Sequence, residues 1–203
     1  MTLSITPVPL NTARLRLEVL SVSHAAEAFV AFDDARLHEF IGGAPLSCRS
    51  TAERYARLET GRSADGAQLW FNWMLREAGS GELVGTVQAT LQHDGASDAD
   101  DSHDCDCDCD CDCDGVIASL AWVVALPFQR RGYATEAARA VTTWLGHAGI
   151  VRTRAYVHPR NLASAAIARS LGMARTTTLV DGEVLWIGPR AGAPVDAGAG
   201  PSA

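Results

Sequence analysis

Two stretches of this 203-residue chain hold residues whose types and spacing could do chemistry. The first is HDCDCDCDCDCDG, residues 103–115, where Asp and Cys alternate and five of the six cysteines stand. Thiolates and carboxylates ligate metals, so a metal-binding or thiol-buffering protein is one reading. The spacing argues against it. In an extended chain, Cys at i and i+2 lie about 6.6 to 6.8 Å apart on one face, at the far edge of disulfide reach. Sulfurs on one tetrahedral zinc approach to roughly 3.8 Å, and structural zinc sites commonly put two to four residues between ligands, where this tract puts one. The alternating carboxylates also repel one another. The tract therefore predicts a low-complexity insertion over residues 94–115, with no resident metal.

The second stretch is AWVVALPFQRRGYATEA, residues 121–137, an apolar strand that runs through Gln129-Arg130-Arg131-Gly132-Tyr133-Ala134 directly into a helix. Such a turn leaves successive backbone N–H groups unpaired at a helix N-terminus, where the dipole adds partial positive charge. A pyrophosphate is the matching ligand. Gly132 allows close backbone approach, and the two Arg add charge.

The elements that must position this turn alternate along the chain. Residues 14–20 read as a strand, 23–32 as a helix behind a Ser cap, and 50–60 as an Arg/Glu-studded helix. Residues 70–76 and 83–91 read as strands joined at Ala78-Gly79-Ser80-Gly81. After the Asp-rich tract come a long apolar strand (116–126), a helix (135–147), a strand (152–157) and a helix (162–171) ended by Gly172. A hairpin, 175–180 with 183–187, turns at Asp181-Gly182. This is an α/β pattern around one mixed sheet, with residues 1–11 as a loose arm and 188–203 as a disordered tail.

Composition narrows the partners. The formal charge is -7, but nine Asp fall between Asp98 and Asp114, and without them the body is slightly basic. That suits a small anionic ligand and no nucleic acid, which calls for a larger Arg/Lys excess. All 17 basic residues are Arg. The opening MTLSITPVPLNT is no signal sequence, and no apolar run spans a bilayer, so no membrane partner is expected. A cytoplasmic protein with free thiols, monomer or homodimer, is the expectation.

The Q-x-x-G-x-A turn followed by a helix resembles the acyl-CoA-binding motif of the GNAT N-acetyltransferases, and the likeness extends over residues 12–187. Thr12-Ala13-Arg14-Leu15-Arg16-Leu17 looks like the first strand of the RimJ/RimL-like branch, the ribosomal-protein alanine N-acetyltransferases. Glu82-Leu83-Val84-Gly85-Thr86-Val87 is similar to its third strand. Gly132-Tyr133-Ala134-Thr135-Glu136-Ala137 matches its strand-to-helix wording, and Asn161-Leu162-Ala163-Ser164 with Leu171-Gly172-Met173 resembles its second cofactor-side motif.

The resemblance implies a single GNAT-type α/β domain with a mixed, mostly antiparallel sheet, splayed fourth (116–126) and fifth (152–157) strands, and helices on both faces. It implies direct acetyl transfer from acetyl-CoA, as cosubstrate, to a primary amine of a protein N-terminus or a small molecule. The pantetheine arm would pair with Trp122, Val123 and Val124, whose backbone includes an oxyanion donor, the Val124 N–H. The pyrophosphate would rest on the amides of Gln129, Arg130, Arg131, Gly132, Tyr133 and Ala134, with Thr135 beside them in the first helical turn. Asn161 and Ser164 would hold the cofactor arm from the next helix. Acceptor contacts are expected from residues 33–50 and 180–183.

Two seats depart from the family's pattern. Ser119 stands where many relatives carry a Glu base, and Ala168 where many carry a Tyr acid. The general base is thus unassigned. His93, His158, Glu136 and Cys48 are the substitutes within the chain; the two His read as solvated loop residues, Glu136 as a favourable charge in a first helical turn, and Cys48 has no obvious nucleophile partner in sequence. An α-amine, with a pKa of about 7.7 to 8, needs far less help than a Lys at about 10.4. A non-catalytic acyl-CoA sensor is the alternative that the two departures raise.

Overall fold

The computed structural model describes residues 5–41, 43–93 and 115–189. Period-two alternation of apolar side chains builds the sheet, because successive residues of a strand face opposite sides. Its strands are β1 (Leu10–Asn11), β2 (Leu15–Val19), β3 (Gln68–Glu77), β4 (Leu83–His93), β5 (Val116–Val124), β6 (Arg152–Val157), β7 (Ala174–Val180) and β8 (Glu183–Ile187). They form one eight-stranded sheet in the order β1-β2-β3-β4-β5-β6-β8-β7. Every neighbouring pair is antiparallel except β5 with β6.

The helices are α1 (Ala25–Phe32), α2 (His38–Ile41), α3 (Cys48–Glu59), α4 (Tyr133–His147) and α5 (Leu162–Ser170). Leu15, Leu17, Phe71, Trp73, Val87, Ala118 and Leu120 face α4 and α5, which answer with Ala137, Val141, Leu145, Ala165 and Ala168. Trp144 of α4 packs edge-on against Phe71 and Trp73, at ring-centroid distances of 5.6 and 5.4 Å. On the other face, Met74 and Leu83 pack with Ala25 and Ala28 of α1 and Tyr55 of α3. Helices thus cover both faces, as the resemblance implies.

Several local expectations need correction. Residues 8–11 are not a loose arm: Leu10 and Asn11 pair with Leu17 and Arg16, and the Val8 carbonyl accepts the Trp73 indole N–H at 2.8 Å. The strands expected as fourth and fifth are therefore β5 and β6. Helix α4 starts at Tyr133, two residues early, because Gly132 at φ 81° supplies the cap that turns the chain. Helix α2 is too short to leave a periodic signal. Gly188 and Pro189 are not tail: the Gly188 N–H donates to the Thr153 carbonyl at 2.8 Å, and Pro189 lies over Gly172. The expected insertion and tail otherwise fall on residues 94–114 and 190–203, outside the described residues.

One departure from regular pairing shapes the molecule. β5 stays paired with β4 as far as Val124, opposite Gly85. Its parallel pairing with β6 stops at Ser119, opposite Arg154, and β6 then runs on beside β8. The two strands splay from Leu120 onward.

Candidate active site

The splay exposes one edge of β5. The Ala125 N–H donates to the Val84 carbonyl of β4 at 2.9 Å, which fixes the alternation of the strand. Backbone groups of Val124 and Trp122 consequently turn the opposite way, toward the gap. The Val124 carbonyl bears this out, since its partner is the Gln129 side-chain amide at 3.0 Å rather than a strand. That leaves the Val124 N–H directed into the gap as a donor. Gly85 lets β5 lie this close to β4, because a Cβ there would stand 2.5 Å from the Val123 carbonyl oxygen.

Beyond β5, a 3-10 turn at Leu126–Phe128 leads to the stretch that sequence marks for an anion. Arg130 at φ 62° and Gly132 at φ 81° are both left-handed, so the chain doubles back before α4 begins. Among the described residues, the N–H groups of Arg130 through Thr135 meet no acceptor, the first bond of the helix being Glu136 N–H to the Gly132 carbonyl at 3.0 Å. The cradle is thus shifted by one from its expected span: the Gln129 N–H is bonded to the Leu126 carbonyl at 3.3 Å.

A cavity of about 550 Å³ joins the gap to this cradle. Trp122, Val123, Val124, Gln129, Arg130, Gly132, Tyr133, Ala134, Thr135, Asn161 and Ser164 all line it. Arg131 does not; its guanidinium sits over the Phe128 ring, 5.3 Å from the centroid. Asn161 caps α5 by accepting the Ser164 N–H at 3.0 Å, and its amide nitrogen has no partner among the described residues. Ser164 Oγ accepts the Trp122 indole N–H at 3.3 Å, which ties β5 to α5.

The chemistry of this lining fits acetyl-CoA. A run of free amides at a helix N-terminus can take a pyrophosphate, and an unpaired strand edge can pair with the amides of a pantetheine arm. Among the described residues no group of three or more His, Cys, Asp or Glu could hold a metal ion, and no helix is long and apolar enough to cross a membrane.

A second cavity, about 390 Å³, opens on the opposite side of β5. Phe29, Phe32, Leu46, Tyr55 and Ala121 give it an apolar wall, and Asp33, His38, Arg54 and Gln88 its polar atoms. Leu37, Trp122 and Val123 line both cavities, so the two meet across the splayed strand. Burial pushes the Tyr55 hydroxyl up to about 12, against the pull of Arg54, which makes it a donor rather than a base. From the span 33–50, Asp33, Leu37, His38, Gly43, Ala44 and Leu46 border this cavity, whereas residues 180–183 line neither cavity.

The substitute bases lie elsewhere. Ser119 Oγ accepts Arg154 Nε–H at 2.8 Å, and Ala168 is fully buried in the core. His158 accepts the Arg160 N–H at 3.2 Å and leans on Phe40, while His93 and Cys48 line neither cavity. Glu136 is engaged by Thr12 and Arg14: burial pushes its carboxyl up, but the bonds from these residues outweigh that and hold it below the ordinary value. Arg36, Glu39 and Phe40 fall within the span expected on the acceptor side, yet they line the larger cavity from the short turn and helix before residue 42.

A family model described as an acetyltransferase (GNAT) domain matches residues 14–174. No curated protein matches the chain. Solved structures share the fold. A GNAT-family acetyltransferase from Bacillus anthracis is 14% identical at a TM-score of 0.64, over 90% of this chain and 98% of that one. RimL, a ribosomal alpha-N-protein acetyltransferase in complex with coenzyme A, is 14% identical at 0.66, over 90% and 98%. MccE, a microcin self-immunity acetyltransferase in complex with acetyl-CoA and AMP, is 13% identical at 0.65, over 92% and 98%. The splayed strand, the free amides before α4 and the match over residues 14–174 have one joint meaning: the chain belongs to the GNAT acetyltransferase family, as an acyltransferase with acetyl-CoA as its cosubstrate.

Proposed function

We propose that the protein acetylates a primary α-amine, on a protein N-terminus or a small molecule, as a member of the RimJ/RimL-like branch. The observation that carries this is the meeting of two cavities at Trp122 and Val123, one suited to acetyl-CoA and the other walled by apolar side chains. The strand wording of residues 12–17 and the fold likeness to RimL support the branch.

Acetyl-CoA supplies an activated acetyl group as a thioester. The amides of Arg130 to Thr135 hold its pyrophosphate, and Asn161 donates to the arm. The Val124 N–H, which faces the gap, would donate to the acyl oxygen, where negative charge would grow as the amine attacks. Ser119 cannot take the amine's proton and Ala168 cannot protonate the departing thiolate, so the amine must attack in its neutral form and CoA must leave as the thiolate, to be protonated by water. About half of an α-amine is neutral at pH 8, and water carries its proton away after attack. The apolar wall of the smaller cavity favours the neutral amine over the ammonium form.

Ala121 tests the arrangement, since it lines the smaller cavity alone. Ala121→Phe is expected to raise the acceptor KM about tenfold or more while the Kd for acetyl-CoA stays unchanged. Unaltered acceptor kinetics would remove that cavity from the reaction.

A further inference from the structure

From the contacts between the segment leading into β2 and the start of α4, we infer that Arg14 is a positioning residue that locks the Arg131–Gly132 peptide with its N–H toward the pyrophosphate of acetyl-CoA. This rests on the assignment of the Arg130–Thr135 amides to that pyrophosphate. Arg14 Nη1 donates to the Arg131 carbonyl at 2.9 Å. The peptide is trans, so a carbonyl drawn toward Arg14 sends the Gly132 N–H the opposite way. Gly132 borders both the larger cavity and a groove along α4, whereas Arg14 borders only the groove. The N–H directed away from Arg14 therefore points to the cofactor side.

The rest of the Arg14 fork is itself immobilised. Nε and Nη2 reach Glu136 Oε2 at 2.7 and 2.6 Å, and the Arg14 N–H and the Thr12 hydroxyl reach Oε1 at 2.9 and 2.6 Å. The guanidinium also lies over the Tyr133 ring, 5.0 Å from its centroid, and the Tyr133 hydroxyl is held by Glu77. These contacts do two things for the turn. They neutralise Glu136, whose carboxylate in the first turn of α4 would otherwise oppose a bound anion. They also oppose a flip of the peptide before Gly132, which would present a carbonyl oxygen to the pyrophosphate. Gly132 at φ 81° offers little steric resistance of its own to such a flip.

The test uses two acetyl donors with the full chain: acetyl-CoA, and S-acetyl-pantetheine, which lacks the pyrophosphate. Arg14→Gln is expected to raise the KM for acetyl-CoA about tenfold, with kcat little changed, and to leave kcat/KM for S-acetyl-pantetheine within about twofold. Arg14→Lys keeps the charge but not the fork, so its KM should fall between those of wild type and Arg14→Gln. It also serves if Arg14→Gln does not fold. Equal losses with both donors would make Arg14 merely structural and overturn the inference, as would an Arg14→Lys variant with wild-type donor preference. If the wild-type protein itself fails to prefer acetyl-CoA, the pyrophosphate assignment falls and the inference falls with it. A preference that is present in wild type and survives Arg14→Gln refutes the inference alone.

Discussion

Arg154 Nε–H donates to Ser119 Oγ at 2.8 Å across the last paired position of β5 and β6. The hydroxyl at the family's usual Glu seat is thus held by a cation and is not poised to accept a proton from an amine. Ser119→Ala should therefore leave kcat/KM within about twofold, whereas loss of a true general base costs about 100-fold or more. Steady-state kinetics from pH 6 to 9 checks this. Both proteins should show a rise in rate set by the acceptor amine, with an apparent pKa of about 8 for an α-amine.

Gly132 separates backbone strain from charge. Gly132→Ala places a Cβ at φ 81°, at a cost of about 1 to 2 kcal/mol measured by urea denaturation. Its Cβ would lie 3.4 Å from Arg14 Nη2, an ordinary contact. Gly132→Glu adds a negative side chain beside the amide cradle and is expected to abolish acetyl-CoA binding in calorimetric titration. Retained affinity would displace the pyrophosphate from this turn.

Gly85 controls the approach of β4 to β5. Gly85→Ala would bring a Cβ within 2.5 Å of the Val123 carbonyl and 3.2 Å of Leu75 Cδ1, so β5 must shift. Overpacking of this kind costs roughly 1 to 3 kcal/mol. Because Val124 follows directly, kcat should fall more than the stability loss explains, as read by activity at a temperature where both proteins stay folded.

Much of this was legible in sequence, and the exceptions share a cause. The long apolar strand ending in Q-R-R-G-Y-A pointed to β5, the turn and α4, since periodicity and a Gly are local signals. Glu136 invited a local account as a favourable charge in a first helical turn, yet its partners Thr12 and Arg14 lie more than a hundred positions away. Contacts so distant leave no spacing to read. β1 and α2 were missed because two and four residues carry no period. Gln129 was placed among the pyrophosphate amides when its N–H is taken up by a 3-10 turn, a geometry that the Pro127-Phe128 pair does not announce.

The link between α1 and the sheet should be acid-sensitive. Arg76 donates to Glu27 at 2.9 and 3.0 Å and to both Glu18 oxygens at 3.1 Å. The bond from Arg76 holds the Glu27 carboxyl below its ordinary value, against the smaller opposing effect of burial. A lowered folded pKa means that this stabilisation is fully present above the unfolded value of about 4.3 and fades as pH falls through the folded one. Glu27→Gln should flatten the acid limb of stability against pH while sparing the neutral region. An unchanged acid limb would assign the acid sensitivity to other carboxylates.

The central claim is acetyl transfer to an α-amine across the splayed β5 strand. Its most direct measurement is mass spectrometry of a peptide with a free N-terminus and an internal Lys, incubated with acetyl-CoA and the protein at pH 8, alongside small-molecule α-amines and a hydroxyl acceptor. The account predicts one acetyl group on an α-amine, of the peptide or a small molecule, with one CoA released per acetyl transferred and the Lys and hydroxyl groups left free. Tight binding of acetyl-CoA with no acetylated product, or a preference for the hydroxyl acceptor, would contradict it.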